Sequence, residues 1–181
     1  KILWITPLRA LTSDIQQAIS EPVSYFEFDW SIGIRTGDTP ASVRAKQRKQ
    51  LPTILITTPE SLSLLLSYTE AKTQFKHLDL VVVDEWHELM GSKRGVMTQL
   101  GISHLRSWCP NLKIWGLSAT LGNTDDAMQV LLGDQAAAGK LIQGRNPKTI
   151  AIKSVEPPEI ERFPWAGHMG LRLLPQVIQT I

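Results

Sequence analysis

Cysteine is almost missing from this chain, with Cys109 the only one in 181 residues. No intrachain disulfide can form, a reducing compartment is favoured, and thiolate metal sites built on C-x-x-C have no basis. Cys109 has no sequence support as a nucleophile, so a packing or surface role is expected. The four histidines, His77, His87, His104 and His168, show no metal-ligand spacing. Where a zincin would carry its second histidine, the run His87-Glu88-Leu89-Met90-Gly91 carries glycine, which argues against zinc hydrolysis. Long apolar runs are missing as well: none approaches membrane-spanning length, and no signal peptide precedes the first strand. A soluble, cytoplasmic protein with no membrane partner is expected. Net charge is small. At +2, with a pI near 8.8, the chain would not repel a polyanion and does not demand one. A phosphate-gripping G-x-x-x-x-G-K-[ST] loop is also lacking. Its nearest approach, Gly139-Lys140-Leu141, has leucine in place of the hydroxyl residue and Asp134 in place of the leading glycine, so it reads as a surface turn.

What is present is enough apolar sequence, 43% of residues, for one core with an appended element. Its centre is Leu80, Val81, Val82 and Val83, followed by Asp84, Glu85, Trp86, His87 and Glu88. Such a run reads as a buried strand, and two carboxylates at its exit lie where open α/β sheets place their chemistry. An Asp there can hold Mg²⁺ on nucleotide phosphates, and a neighbouring Glu can orient and deprotonate a water. The alternative is a strand ending in a solvated acidic turn.

Before this centre lie two strand, Thr-Pro, helix units. Residues 2–5 form a strand ending at Thr6-Pro7, and a helix carrying Leu8, Leu11, Ile15, Ala18 and Ile19 on one face follows, with Arg9 at its start. Residues 53–57 form a strand ending at Thr58-Pro59-Glu60-Ser61, followed by a helix with Leu62, Leu64, Leu65 and Leu66. Matched exits put hydroxyls and helix N-termini on one edge of a parallel sheet, which suits phosphate; an ordinary βα turn with a solvated Arg9 is the alternative. Between them, residues 31–36 form a strand, and Thr36-Gly37-Asp38-Thr39-Pro40 makes a turn into a capped helix start. That helix carries Arg44, Lys46, Arg48 and Lys49, either a solvated face or a phosphate-tracking patch. After the centre come a helix over 96–108 and a strand over 113–117. The loop Ser118-Ala119-Thr120 then follows, whose hydroxyls can bond a neighbouring carboxylate. A helix over 124–132 stops at Gly133, residues 141–144 and 149–155 read as strands, and 156–170 as a proline-broken linker.

Four elements thus stand in fixed order: Thr6-Pro7-Leu8-Arg9-Ala10-Leu11, Thr57-Thr58-Pro59-Glu60-Ser61-Leu62, Asp84-Glu85-Trp86-His87 and Ser118-Ala119-Thr120. Together they resemble motifs Ia, Ib, II and III of superfamily 2 helicases of the DExH type, with Arg35-Thr36-Gly37-Asp38-Thr39 similar to the extra Thr-Gly-Asp motif. Adding Arg162-Phe163-Pro164-Trp165-Ala166-Gly167-His168, the chain looks most like the Lhr-like, DNA-ligase-associated helicases of bacteria.

The resemblance implies an α/β, RecA-like, mostly parallel sheet flanked by helices, over 1–155, with 156–181 leading toward a second RecA-like lobe. It implies an ATP-dependent 3′ to 5′ DNA helicase or translocase motor with a repair role, using ATP and Mg²⁺. Asp84 would bind the ion, Glu85 would be the catalytic base, and His87, Ser118 and Thr120 would couple hydrolysis to strand movement. Thr6, Pro7, Arg9, Thr36, Gly37, Thr58 and Glu60 would lie along the nucleic-acid backbone. Single-stranded or tailed DNA, or an RNA:DNA hybrid, is the expected partner, with a DNA ligase and a nuclease as further candidates.

Because the chain opens inside a strand, a piece of a longer protein is expected, inactive when isolated. In RecA-like lobes a P-loop strand would lie beside residues 113–117, so that strand should be open on one side unless residues 149–155 or another molecule fill the gap. The competing readings are a nucleic-acid-binding α/β module with a vestigial ATP site and a doubly wound small-molecule enzyme.

Overall fold

A computed structural model describes residues 1–119, 121–144, 174 and 178. Five strands, β1 (Ile2–Ile5), β2 (Ile32–Arg35), β3 (Ile54–Thr57), β4 (Leu80–Val83) and β5 (Lys113–Gly116), pair in parallel in the order β2-β3-β1-β4-β5. All of β3 and the last three residues of β4 are buried, as the central strands of a sheet covered on both faces must be. The expected parallel sheet is therefore present. Among the described residues β5 bonds only to β4, and Trp115 on it is 57% exposed; residues 149–155, which could fill its other side, lie outside the described residues.

The connections are the helices α1 (Leu11–Tyr25), α2 (Ala41–Lys49), α3 (Pro59–Leu66), α4 (Ala71–Phe75), α5 (Trp86–Leu89), α6 (Lys93–Trp108) and α7 (Thr124–Leu132), the last running into a 3₁₀ turn, Gly133–Ala138. Several differ from expectation. α1 starts after Arg9, because Leu8 is exposed and the segment ahead of the helix is a turn. The expected side-chain cap of α2 is not made; the Thr39 hydroxyl instead accepts from the Thr36 amide at 2.9 Å and donates to the Ile34 carbonyl, closing the preceding turn. α6 starts earlier than expected because Ser92 caps it, its Oγ accepting from the Gly95 amide at 3.1 Å. Helices α4 and α5 have no counterpart in the sequence reading. No strand forms at residues 141–144, where Leu141 and Ile142 are exposed, and the expected strand over 149–155 lies outside the described residues.

Two compact units are distinguished, Lys1–Lys140 and Leu141–Ile181. In the first, Leu3, Ile5, Leu55, Val81 and Val83 of the sheet pack with Leu62, Phe75, Leu89, Ile102 and Leu105 of the helices. Cys109 is buried there, its thiol facing the Phe75 carbonyl at 3.1 Å, so of the packing and surface roles expected it takes the packing one.

Gly95 has a steric reason. A Cβ there would meet the Leu89 carbonyl oxygen at 2.0 Å, and that oxygen is already held by the Ser92 hydroxyl at 2.7 Å. Gly95→Ala should therefore cost about 3 kcal/mol, the upper range of overpacking, because backbone must move. Denaturant titration checks it; a loss below about 1 kcal/mol would mean that α5 and α6 separate easily.

Candidate active site

Five parallel strands place all five C-terminal exits on one edge, so the motifs, each a strand exit, come together through topology. Reading across the sheet, the edge carries Thr36 and Gly37 after β2, Thr58 after β3, Thr6 and Pro7 after β1, Asp84 and Glu85 after β4, and Ser118 shortly after β5. The edge has two halves. Residues expected to touch nucleic acid leave β2, β3 and β1; those expected to carry hydrolysis leave β4 and β5.

In the acidic half, the Asp84 amide continues the ladder by donating to the Ile5 carbonyl at 2.8 Å. One Asp84 oxygen accepts from the Glu85 amide at 3.0 Å, and the other from the Trp4 indole N–H at 3.3 Å. Glu85 sits at φ +46°, a left-handed conformation that costs a non-glycine residue about 1–2 kcal/mol. That turn starts α5 and drives Trp86 inward, 2% exposed. The Trp86 amide donates to Leu117 at 2.9 Å and its indole N–H to Ala127 at 3.1 Å, fixing the acidic turn against the β5 exit and α7. The His87 imidazole follows on the exposed side. Its Nδ1 lies 3.0 Å from the Ser118 hydroxyl and 3.4 Å from Glu85 Oε2, and its Nε2 lies 3.6 Å from Glu88 Oε1. The Ser118 hydroxyl was expected to bond Asp84 or Glu85 directly; here it meets His87, which lies in turn beside Glu85. Thr120 lies outside the described residues.

No group of three or more His, Cys, Asp or Glu suited to a metal occurs among the described residues. Mg²⁺ needs no such cage, since one or two carboxylates with substrate phosphates and waters hold it. Asp84 fits: each of its oxygens is oriented by one neutral donor and keeps a lone pair.

The other half is built differently. Thr6, Thr36 and Thr58 are 0%, 6% and 2% exposed, and Pro7 is buried. Thr58 caps α3 by accepting from the Ser61 amide, and Thr36 accepts from the Asp38 amide at 3.3 Å. These residues shape the edge more than they present it. Arg9, Gly37 and Glu60 are exposed. The Arg9 guanidinium stands 3.5 Å from where a Cβ on Gly37 would be and bonds both Asp38 oxygens at 3.2 and 3.3 Å, so the Thr-Pro and Thr-Gly-Asp segments meet. Glu60 holds Arg94 of α6 in a two-point pair, 2.5 and 3.2 Å. Burial pushes the Glu60 carboxyl up, yet bonds from Arg94, its own backbone and Thr58 outweigh it and hold the carboxyl below its usual value. Of the basic run on α2, Arg48 is engaged with Glu70 at 3.6 Å and with the Tyr68 ring at 4.4 Å, while Lys46 and Lys49 are exposed.

Sequence reasoning missed Trp4, Trp86 and Arg94. Trp4 and Trp86 sit beside recognised motif positions, and Arg94 follows Ser92, a cap residue ahead of an apolar helix.

With this geometry in place, comparison with known proteins gives one family. The DEAD/DEAH box helicase family matches residues 1–127. The Lhr helicase/uracil glycosylase of Escherichia coli (strain K12) is 37% identical over 146 residues, 75% of this chain and 9% of that protein. The ATP-dependent helicase Lhr-Core of Methanothermobacter thermautotrophicus is 34% identical over 140 residues, 72% of this chain and 16% of that protein. The Mycobacterium smegmatis helicase Lhr, solved with single-stranded DNA and AMP-PNP, superposes with a TM-score of 0.67 at 31% identity, covering 74% of this chain and 19% of that one. The chain thus spans a small part of each relative, and the sheet is RecA-like. It belongs to the DEAD/DEAH box helicase family, with Lhr-type helicases among its relatives.

Proposed function

We propose that this chain is the ATP-hydrolysing first lobe of an ATP-dependent DNA helicase, acting within a longer polypeptide, with 1–155 as the lobe and 156–181 leading to a second one. The observation that carries this reading is the divided edge, in which the Glu85–His87 cluster and the Arg9–Asp38 pair lie on exits of one sheet, with Arg94 of α6 held there by Glu60. The relatives' names support ATP and single-stranded DNA as ligands. Movement from 3′ to 5′ and a repair role belong to the same proposal.

When bound, Mg²⁺ neutralises charge on the transferred phosphoryl group. Asp84 would hold it, its carboxylate kept in orientation by Trp4 and the Glu85 amide. Glu85 would accept the proton of the attacking water. His87, between Glu85 and Ser118, would sense the Glu85 proton and pass the change to the 118–120 loop.

On the other half, Arg9 and Arg94 would meet phosphates, with Glu60 acting through Arg94. The Arg9–Asp38 pair is exposed, 63% and 72%, so it contributes under about 1 kcal/mol and Asp38 can yield to a phosphate. Arg9→Ala in the longer protein should weaken single-stranded DNA binding equally across sequences. It should also lower the slope of log K against log salt by about 0.7, one phosphate contact. Loss confined to particular sequences would mean base readout and sink the assignment.

A further inference from the structure

Tyr25, Phe26, Phe28 and Trp30 stand 81%, 61%, 49% and 42% exposed. They form one ladder: Tyr25 meets Phe26 edge-on at 5.0 Å, Phe26 stacks on Phe28 at 5.8 Å, and Phe28 stacks on Trp30 at 4.9 Å. The backbone builds it. Glu27 takes a left-handed φ of +53°, and the Phe28 amide turns back to the Val23 carbonyl at 3.0 Å, which brings alternate side chains into register. A preassembled array of large rings left in water, held by a strained residue, marks a binding surface.

The ladder lies between the end of α1 and the start of β2, at the N-terminal ends of the strands, opposite the edge that carries Asp84 and Arg9. It is therefore separate from the site described above. Stacked aromatics can bind single-stranded bases, but only with a basic groove for the phosphates. Here the charge has the other sign. Residues 10–34 contain Asp14, Glu21, Glu27 and Asp29 and no Lys, Arg or His, in a chain with 19 Lys and Arg. Glu27 and Asp29 alternate with the rings themselves.

We propose that this ladder docks a cationic protein segment in which Arg or Lys alternates with apolar residues. Its cations would lie on ring faces and pair with Glu27 and Asp29, while its apolar side chains cover the ring edges.

The test uses the 181-residue chain and three fluorescent probes: an alternating Arg-Leu peptide, a Glu-Leu peptide and an oligothymidylate. The Arg-Leu peptide should bind, more weakly as salt rises, and the Glu-Leu peptide should not. Phe28→Ser with Trp30→Ser, and separately Glu27→Lys with Asp29→Lys, should each raise its Kd at least tenfold. Asp125→Lys, an acidic change elsewhere, should leave it unaltered. Absence of binding, or binding that neither pair of changes weakens, overturns the proposal. So does oligothymidylate binding that disappears with Phe28 and Trp30, which would make the ladder a base-stacking platform.

Discussion

The longer helicase carrying Glu85→Gln should bind ATP normally and hydrolyse it 10²–10⁴-fold more slowly, the usual loss on removing a positioned general base. The substitution isolates chemistry from architecture. Gln has the shape of Glu, pays the same backbone cost at a φ of +46°, and keeps the amide that orients Asp84. Its side-chain oxygen can still meet His87, now 3.4 Å from Glu85 Oε2. What is lost is the ability to accept a proton. Single-turnover hydrolysis with saturating single-stranded DNA measures the loss, and nucleotide titration shows that binding persists. A rate within threefold of the parent would place the base elsewhere and reduce Glu85 to a structural turn residue.

The parts of this site that were legible in the sequence are those fixed by local pattern. An apolar run ending in Asp84-Glu85 gives a buried strand and an acidic exit without knowledge of its neighbours, and Thr58-Pro59 gives a strand exit leading into a helix in the same way. Parallel order then brings the exits together. What stayed hidden depends on pairs distant in sequence. The Trp4 indole on Asp84, Arg94 on Glu60 and Arg9 on Asp38 join segments that no periodicity relates. Helix α5 is a single turn, too short to show a period, and it exists because Trp86 finds Leu117 and Ala127. The strand expected at 141–144 is not formed, and among the described residues no strand pairs with it. The threonines of the nucleic-acid half show a third limit. Their pattern announces a phosphate-binding edge, yet Thr58 caps α3, Thr36 closes a turn, and all three threonines, Thr6 included, are buried, which leaves Arg9 as the exposed side chain beside them.

The 181-residue chain alone should show no ATP turnover above the uncatalysed background, with or without single-stranded DNA. Phosphoryl transfer relies on positioning and charge: donors cradle the phosphates, a lysine and Mg²⁺ offset their charge, and an arginine finger adds 10³–10⁵ in rate. Within these residues no G-x-x-x-x-G-K-[ST] supplies the cradle. Among the described residues no Lys or Arg bonds Asp84 or Glu85, and Arg9 and Arg94 are committed to the other half of the edge. The proposed base Glu85 and proposed metal carboxylate Asp84 would have no phosphate held for them to act on. The same preparation should nonetheless bind single-stranded DNA weakly and with salt dependence, since Arg9 and Arg94, the proposed phosphate contacts, both lie within it. Phosphate release by this chain, stimulated by DNA and abolished in Glu85→Gln, would overturn the prediction and require a second way of gripping ATP on this edge.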